Sequence, residues 1–189
     1  GRTLERAKLR GVVSNGMLLS PHELGLSAEH AGILVLEADA RVGAPLGEAL
    51  GSSGRVLEVG ITPNRGDAAS VLGMAREVRA LFGGALRLPE TAPPERGQPA
   101  SAAIRVAIEA PDACHHYAAR VVRGVTVGTS PLWMRLRLRR AGMRAINTVV
   151  DVTNYVMLER GQPLHAFDLE RIPGGRITIR RAEAGEQIV

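Results

Sequence analysis

The sequence predicts an α+β protein made of two α+β units, on three observations. Short β-prone runs precede helical runs in each half, giving the order βββ-α and then ββ-αα-β. A proline-rich stretch without apolar period separates the two halves, from Pro89 to Ala102. Hydrophobic residues make up 45% of the 189, too many for a disordered chain and enough for buried cores.

Taken in order, Lys8 to Ser20 reads as turn-linked strands, punctuated by Gly11 and by the turn pair Asn15-Gly16. Ser20-Pro21-His22-Glu23 carries a capping-box pattern and predicts a short helical turn. Ile33 to Leu36 and Val56 to Ile61 read as strands, with a short helix at Leu46 to Leu50 inside the Gly43 to Gly54 loop. Next, Val71, Met74, Ala75, Val78, Leu81 and Phe82 share one face at helical spacing, with Asp67 as expected N-cap and Gly83-Gly84 as stop. Beyond the linker, Ile104 to Ile108 and Tyr117 to Val127 read as strands. Ser130-Pro131 opens a helix that Gly142 ends, and Asn147 to Arg160 forms another, closed by Gly161. Ile177 to Arg180 is a final strand, and no internal repeat is present.

Composition narrows the function classes. The five aromatic residues, Phe82, Phe167, Tyr117, Tyr155 and Trp133, are too few for a base-stacking platform, so the cores are expected to be aliphatic. The formal charge of +5, with a sequence pI of about 10.5, comes mostly from arginine. That balance fits a nucleic-acid partner, and it equally fits an arginine-rich solvated surface. A single cysteine, Cys114, excludes an internal disulfide and any multi-cysteine zinc site. No apolar run reaches the roughly 18 residues of a membrane span, and no secretory pattern opens the chain. A soluble, cytoplasmic protein is expected. Gly1 in place of a methionine and the apolar Ile188-Val189 at the other end read as an internal piece of a longer protein.

Three stretches carry chemistry. Pro63-Asn64-Arg65-Gly66-Asp67 is a polar knot whose plain reading is structural: Asn64 turns, Asp67 caps, Arg65 pairs with a carboxylate. In Pro131 to Ala141 the arginines 135, 137, 139 and 140 spread around a helix as a solvated face, from which Arg135 or Arg139 could reach a phosphate. The densest stretch runs from Gly142 to Asp168. Asn147, Asp151 and Asn154 fall on one helical face opposite Val149, Val152 and Val156, with Arg144 just before and His165 and Asp168 just after. No second His or Cys stands at metal-ligand spacing, and no nucleophile–His–acid set is evident, so chemistry alone leaves a polar pocket of open use.

Three segments, in this order and spacing, resemble signatures of the β subunit of bacterial-type phenylalanyl-tRNA synthetases. They are Lys8 to Gly25 (KLRGVVSNGMLLSPHELG), Leu57 to Asp67 (LEVGITPNRGD), and Ser130-Pro-Leu-Trp133 through Gln162-Pro-Leu-His-Ala-Phe-Asp168. The resemblance implies that residues 1–35 end an oligonucleotide-binding (OB) type barrel that binds tRNA, and that 36–88 form a connecting domain facing the catalytic α subunit. Residues 89–102 then form the linker and 103–189 begin a tRNA-editing domain. One departure is visible: Gly66 stands where the family usually has proline.

The resemblance further implies a role in phenylalanine–tRNA ligase, in which a pocket for phenylalanine discriminates poorly against tyrosine and a second, hydrolytic site clears tyrosyl-tRNA(Phe). By the same resemblance, His165 and Arg144 hold the terminal adenosine and the attacking water, while Thr153, Asn154 and Asn147 bind substrate by hydrogen bonds. The implied partners are the α subunit, in an α2β2 heterotetramer, and tRNA(Phe), with no membrane. ATP and Mg2+ are expected to serve the whole enzyme, with no cofactor or metal on this segment. The rival readings are a free-standing aminoacyl-tRNA deacylase and a non-catalytic tRNA-binding module.

Overall fold

The computed structural model describes residues 4–27, 30–51 and 55–187, without the side chain of Leu9. The expected loop from Gly43 to Gly54 therefore runs partly outside the described residues, as do Ile188 and Val189. The architecture is mixed α and β, consistent with the α+β class. Among the described residues it comprises strands β1 (Ala7–Leu9), β2 (Val12–Ser14), β3 (Arg105–Ile108) and β4 (Arg176–Ile179), with helices α1 (Leu46–Ala49), α2 (Val71–Phe82), α3 (Leu132–Arg140) and α4 (Thr148–Arg160). By contact the chain falls into two compact units, one of residues 1–59 with 130–145, the other of 60–129 with 146–189.

In the first unit β1 and β2 form an antiparallel hairpin with Leu9 opposite Val12. Its two-residue turn puts Arg10 at φ 50° and Gly11 at φ 86°, the left-handed pair that matches strand twist. The turn thus falls at Arg10-Gly11, and Asn15-Gly16 lies past the strand. The Ser20 capping box forms as expected: the Ser20 N–H and hydroxyl both donate to Glu23 Oε2 at 2.8 Å, and the Glu23 N–H donates back to Ser20 Oγ at 3.3 Å. Those bonds, the Ser20 N–H first, hold the Glu23 carboxyl below its ordinary range.

In α3 the side chains of Met134, Leu136 and Leu138 are buried, with Leu138 fully so. The helix opens at Leu132 with Pro131 as cap and closes on Ala141, within a residue or two of expectation. Arg139 is not a free cation, because its Nη2 donates to the Gly25 carbonyl at 2.9 Å. Arg137 lies over the Trp133 ring, 5.2 Å from its centroid.

The second unit holds β3 and β4 as a parallel pair, Arg105 beside Arg176 through Ile108 beside Ile179. Its helices α2 and α4 pack against each other. They touch where Gly161, at φ 79°, ends α4 next to Ser70, which begins α2. A Cβ at Gly161 would stand 3.3 Å from Ser70 Cβ.

Five expectations need correction. No strand forms at Ile33 to Leu36, Val56 to Ile61 or Tyr117 to Val127. A strand requires a neighbour in its ladder, and these runs have none among the described residues. Among the described residues one backbone bond, from the Leu34 N–H to the Leu19 carbonyl at 2.8 Å, marks the first of them. The N-cap of α2 is Ser70, not Asp67: Ser70 Oγ accepts from the Gly73 N–H at 2.9 Å, and Asp67 sits in a preceding 3-10 turn, Gly66–Ala68, with its carboxylate already taken by Arg65. The expected apolar face of α2 is largely open, with Val71, Val78, Leu81 and Phe82 all exposed.

Candidate functional site

Helix α4 carries two of the five candidate residues, Thr153 and Asn154, and a third, Asn147, is its N-cap, so its start is fixed by local chemistry. Asn147 has extended backbone, and its Oδ1 accepts from the N–H groups of both Val149 and Val150 at 3.0 Å. Two of the donors that every helix start leaves unpaired are thereby satisfied. The next residue, Thr148, ties the helix to the preceding extended chain: its N–H donates to the Gly128 carbonyl at 2.8 Å, and its Oγ1 accepts from the Gly128 N–H at 3.0 Å.

The expected solvated face is turned the other way. Asp151, one turn in, is 1% exposed, whereas Val152 is 44% exposed. The Asp151 carboxylate accepts from the Ile146 N–H at 2.7 Å. A negative group in the first turn also sits well against the positive end of the helix dipole. Spacing alone places Asn147, Asp151 and Asn154 together, but it does not say which face points inward. An aspartate four residues after an Asn cap was the available signal.

Thr153 and Asn154 are both half-buried, in the middle of α4. Thr153 Oγ1 donates to the Val150 carbonyl at 2.8 Å, which fixes its rotamer and leaves its oxygen lone pairs as acceptors. His165 follows in the irregular chain after α4, exposed, with its ring centroid 6.3 Å from that of Phe167. Asp168 caps the 3-10 turn Leu169–Arg171, its Oδ1 accepting from the Glu170 N–H at 3.1 Å. Arg144 is exposed on the chain before α4 and falls within the first compact unit, while Asn147, Thr153, Asn154 and His165 fall within the second.

The Pro63 to Asp67 knot is an ion-paired turn. The Arg65 N–H bonds the Thr62 carbonyl at 2.9 Å and closes the turn. The Arg65 guanidinium then forks onto Asp67, at 3.0 and 2.9 Å, and also reaches Glu77 on α2. The hydrogen bond to Asp67, followed by that to Glu77, raises the Arg65 pKa further, and the Arg65 hydrogen bond holds the Asp67 carboxyl below its ordinary value. Among the described residues no three His, Cys, Asp or Glu side chains gather in a way that could hold a metal ion. No helix among them is long and apolar enough to cross a membrane.

The B3/4 domain family matches residues 113–189, a span that includes all five candidate residues. The chain is 53% identical over 188 residues to the phenylalanine–tRNA ligase beta subunit of Anaeromyxobacter dehalogenans, covering 100% of this chain and 24% of that protein. It is 50% identical over 194 residues to that of Moorella thermoacetica and 46% identical over 189 residues to that of Syntrophus aciditrophicus, each again covering 100% of this chain and 24% of the relative. The chain thus spans about a quarter of the length of the curated relatives it matches.

Proposed function

We propose, from the premise that this chain belongs along its whole length to the phenylalanine–tRNA ligase β-subunit family, that it carries the proofreading part of such a subunit. The reaction is hydrolysis of tyrosine wrongly esterified to tRNA(Phe). The observation that carries this reading is that Arg144, Asn147, Thr153, Asn154 and His165 all lie in the 113–189 span that matches the B3/4 family, on or beside one helix whose start is rigidly held.

In this reading the exposed Arg144 guanidinium, with its fixed fork of donors, joins His165 in holding the terminal adenosine and the attacking water. The Thr153 oxygen accepts a hydrogen bond from the substrate, and the carboxamides of Asn154 and Asn147 donate to it. Water attacks the ester carbonyl carbon, the bond from that carbon to the ribose oxygen breaks, and the released ribose oxygen takes the proton. No charged base stands in the set, so catalysis comes from positioning the water, with help from the substrate's own ribose hydroxyl.

The same reading extends to the rest of the chain. Residues 1–35, with the β1–β2 hairpin, are the end of the OB-type barrel and contribute tRNA binding. Residues 36–88 are the connecting domain toward the catalytic α subunit, 89–102 the linker and 103–189 the start of the editing domain. The full enzyme is an α2β2 assembly of the cytoplasm, and ATP and Mg2+ serve its aminoacylation site on the other subunit.

The test is deacylation of tyrosyl-tRNA(Phe) by the full αβ assembly carrying His165→Ala or Arg144→Ala. Each variant should lose on the order of 10²-fold in deacylation, as removal of one positioned group from a transition-state site typically does, while phenylalanylation persists. Wild-type deacylation by both variants would make these polar groups structural and end the proposal.

A further inference from the structure

Asn15-Gly16 has the residue types of a hairpin turn, yet it lies directly after β2 with both residues exposed. The carboxamide carbon of an asparagine is open to attack by the backbone nitrogen of the next residue, so the surroundings of that nitrogen decide which asparagine reacts. The chain has four asparagines, Asn15, Asn64, Asn147 and Asn154. At three of them the nitrogen is tied down. After Asn64 the Arg65 N–H donates to the Thr62 carbonyl at 2.9 Å, and after Asn147 the Thr148 N–H donates to the Gly128 carbonyl at 2.8 Å. Asn154 lies in the middle of α4, where the Tyr155 N–H belongs to the helix ladder. Gly16 differs. Among the described residues neither its N–H nor the Asn15 carboxamide has a hydrogen-bond partner; the Ser14 hydroxyl donates to the Gly16 carbonyl at 2.7 Å and leaves the nitrogen open. A glycine also puts no side chain in the path of the ring that must close.

We propose that Asn15 is a site of spontaneous modification, where the carboxamide is lost and an aspartyl or isoaspartyl residue takes its place. The Gly16 nitrogen gives its proton to base and bonds to Asn15 Cγ, while the carboxamide nitrogen takes up a proton and leaves as ammonia. Water then opens the cyclic imide. Opening at Cγ gives aspartate, and opening at the main-chain carbonyl gives isoaspartate, in which the backbone runs through the side-chain carbon. Either product adds a negative charge beside the exposed cations Arg6, Lys8 and Arg10 of the hairpin segment. Isoaspartate also lengthens the backbone just past the Ala7–Ser14 pair that ends the ladder. The inference is independent of the proofreading reading.

The experiment incubates the full αβ assembly in mildly alkaline and in mildly acidic buffer and follows every asparagine by peptide mass mapping. Methylation of the product by an isoaspartyl methyltransferase is the second readout. Asn15 should convert at least about tenfold faster than Asn64, Asn147 or Asn154, because only there is the attacking nitrogen free to align. Conversion should be faster in the alkaline buffer, since that nitrogen must first shed its proton. Gly16→Ala should slow it on the order of tenfold by crowding the closing ring. The fold should survive that change, because a Cβ at Gly16 meets nothing within 4 Å and its φ is not in the left-handed region. Conversion at Asn15 no faster than at the other three, or undiminished in Gly16→Ala, would overturn the proposal. Neither result depends on whether the assembly hydrolyses tyrosyl-tRNA(Phe).

Discussion

Two glycines of the same segment should respond in opposite directions to the same substitution. Gly73 lies inside α2, where alanine would ordinarily stabilise by about 1 kcal/mol through helix propensity. Here a Cβ would stand 2.2 Å from the Asp67 carbonyl oxygen, 2.8 Å from Ala68 Cα and 3.0 Å from Ala68 C. Those are backbone atoms and cannot swing aside as a side-chain tip would. Gly73→Ala must therefore push the Gly66–Ala68 turn off the helix, at the roughly 1–3 kcal/mol typical of overpacking. At Gly66 a Cβ meets nothing within 4 Å, and its φ is not in the left-handed region. Gly66→Ala should then stabilise by about 0.4–1 kcal/mol, because it restricts the unfolded chain. Amide hydrogen exchange of α2 in the full assembly reads both. Protection at Met74, whose N–H bonds the Ser70 carbonyl at 2.9 Å, should fall roughly 5- to 150-fold in Gly73→Ala and rise a few-fold in Gly66→Ala. A gain of protection in Gly73→Ala would refute the argument, because it would mean that the turn does not press on the helix.

Two further outcomes follow from other contacts. Asn147→Ala removes the acceptor of two helix-start N–H groups and should cost about 0.5–2 kcal/mol in the opening of α4, seen as faster exchange at Val149 and Val150 ahead of the helix centre. The hydrogen bond from Arg180, then that from the Glu183 N–H, pushes the Glu186 carboxyl down from an ordinary 4.5 to about 2. Because the folded value lies below the unfolded one, its contribution is fully present above pH 4.5 and is lost as pH falls toward about 2. A carboxyl-resolved NMR titration of Glu186 should give a midpoint near 2 that returns toward 4.5 in Arg180→Leu. An unchanged midpoint in that variant would remove Arg180 as the cause.

Elements specified by nearest neighbours were legible in the sequence. Helix α4 was, because Asn147 and Gly161 mark its ends by residue type, and so was the Ser20–Glu23 box, whose bonds close over three residues. Elements that depend on a distant partner were not. The runs at Ile33, Val56 and Tyr117 have strand-like composition, but composition does not supply the neighbour that makes a ladder. Asp67 and Ser70 are both good caps, and only the fork from Arg65 decides between them. At the site, periodicity found the polar face of α4 and misread its direction, since period gives relative angle only. The individual roles of Arg144, Thr153 and His165 came from resemblance, because no spacing of these residue types implies an ester hydrolase by itself.

The buried position of Asp151 and the exposed position of Val152 reverse the usual amphipathic logic, and the reversal bears on the rest of α4. A helix chosen only for stability would bury its valines and hydrate its carboxylate. Burying a carboxylate is costly unless hydrogen bonds compensate, and here one compensating donor is the backbone N–H of the residue that precedes the helix cap. The same helix ends on Gly161 against Ser70, which caps α2, and α2 is in turn braced by Arg65 between Asp67 and Glu77. Both ends of α4 therefore carry specific polar and backbone contacts. Such contacts set position and direction more sharply than greasy packing does. A helix held in this way suits the display of half-buried Thr153 and Asn154 at defined positions, as the proposed water positioning without a charged base would require.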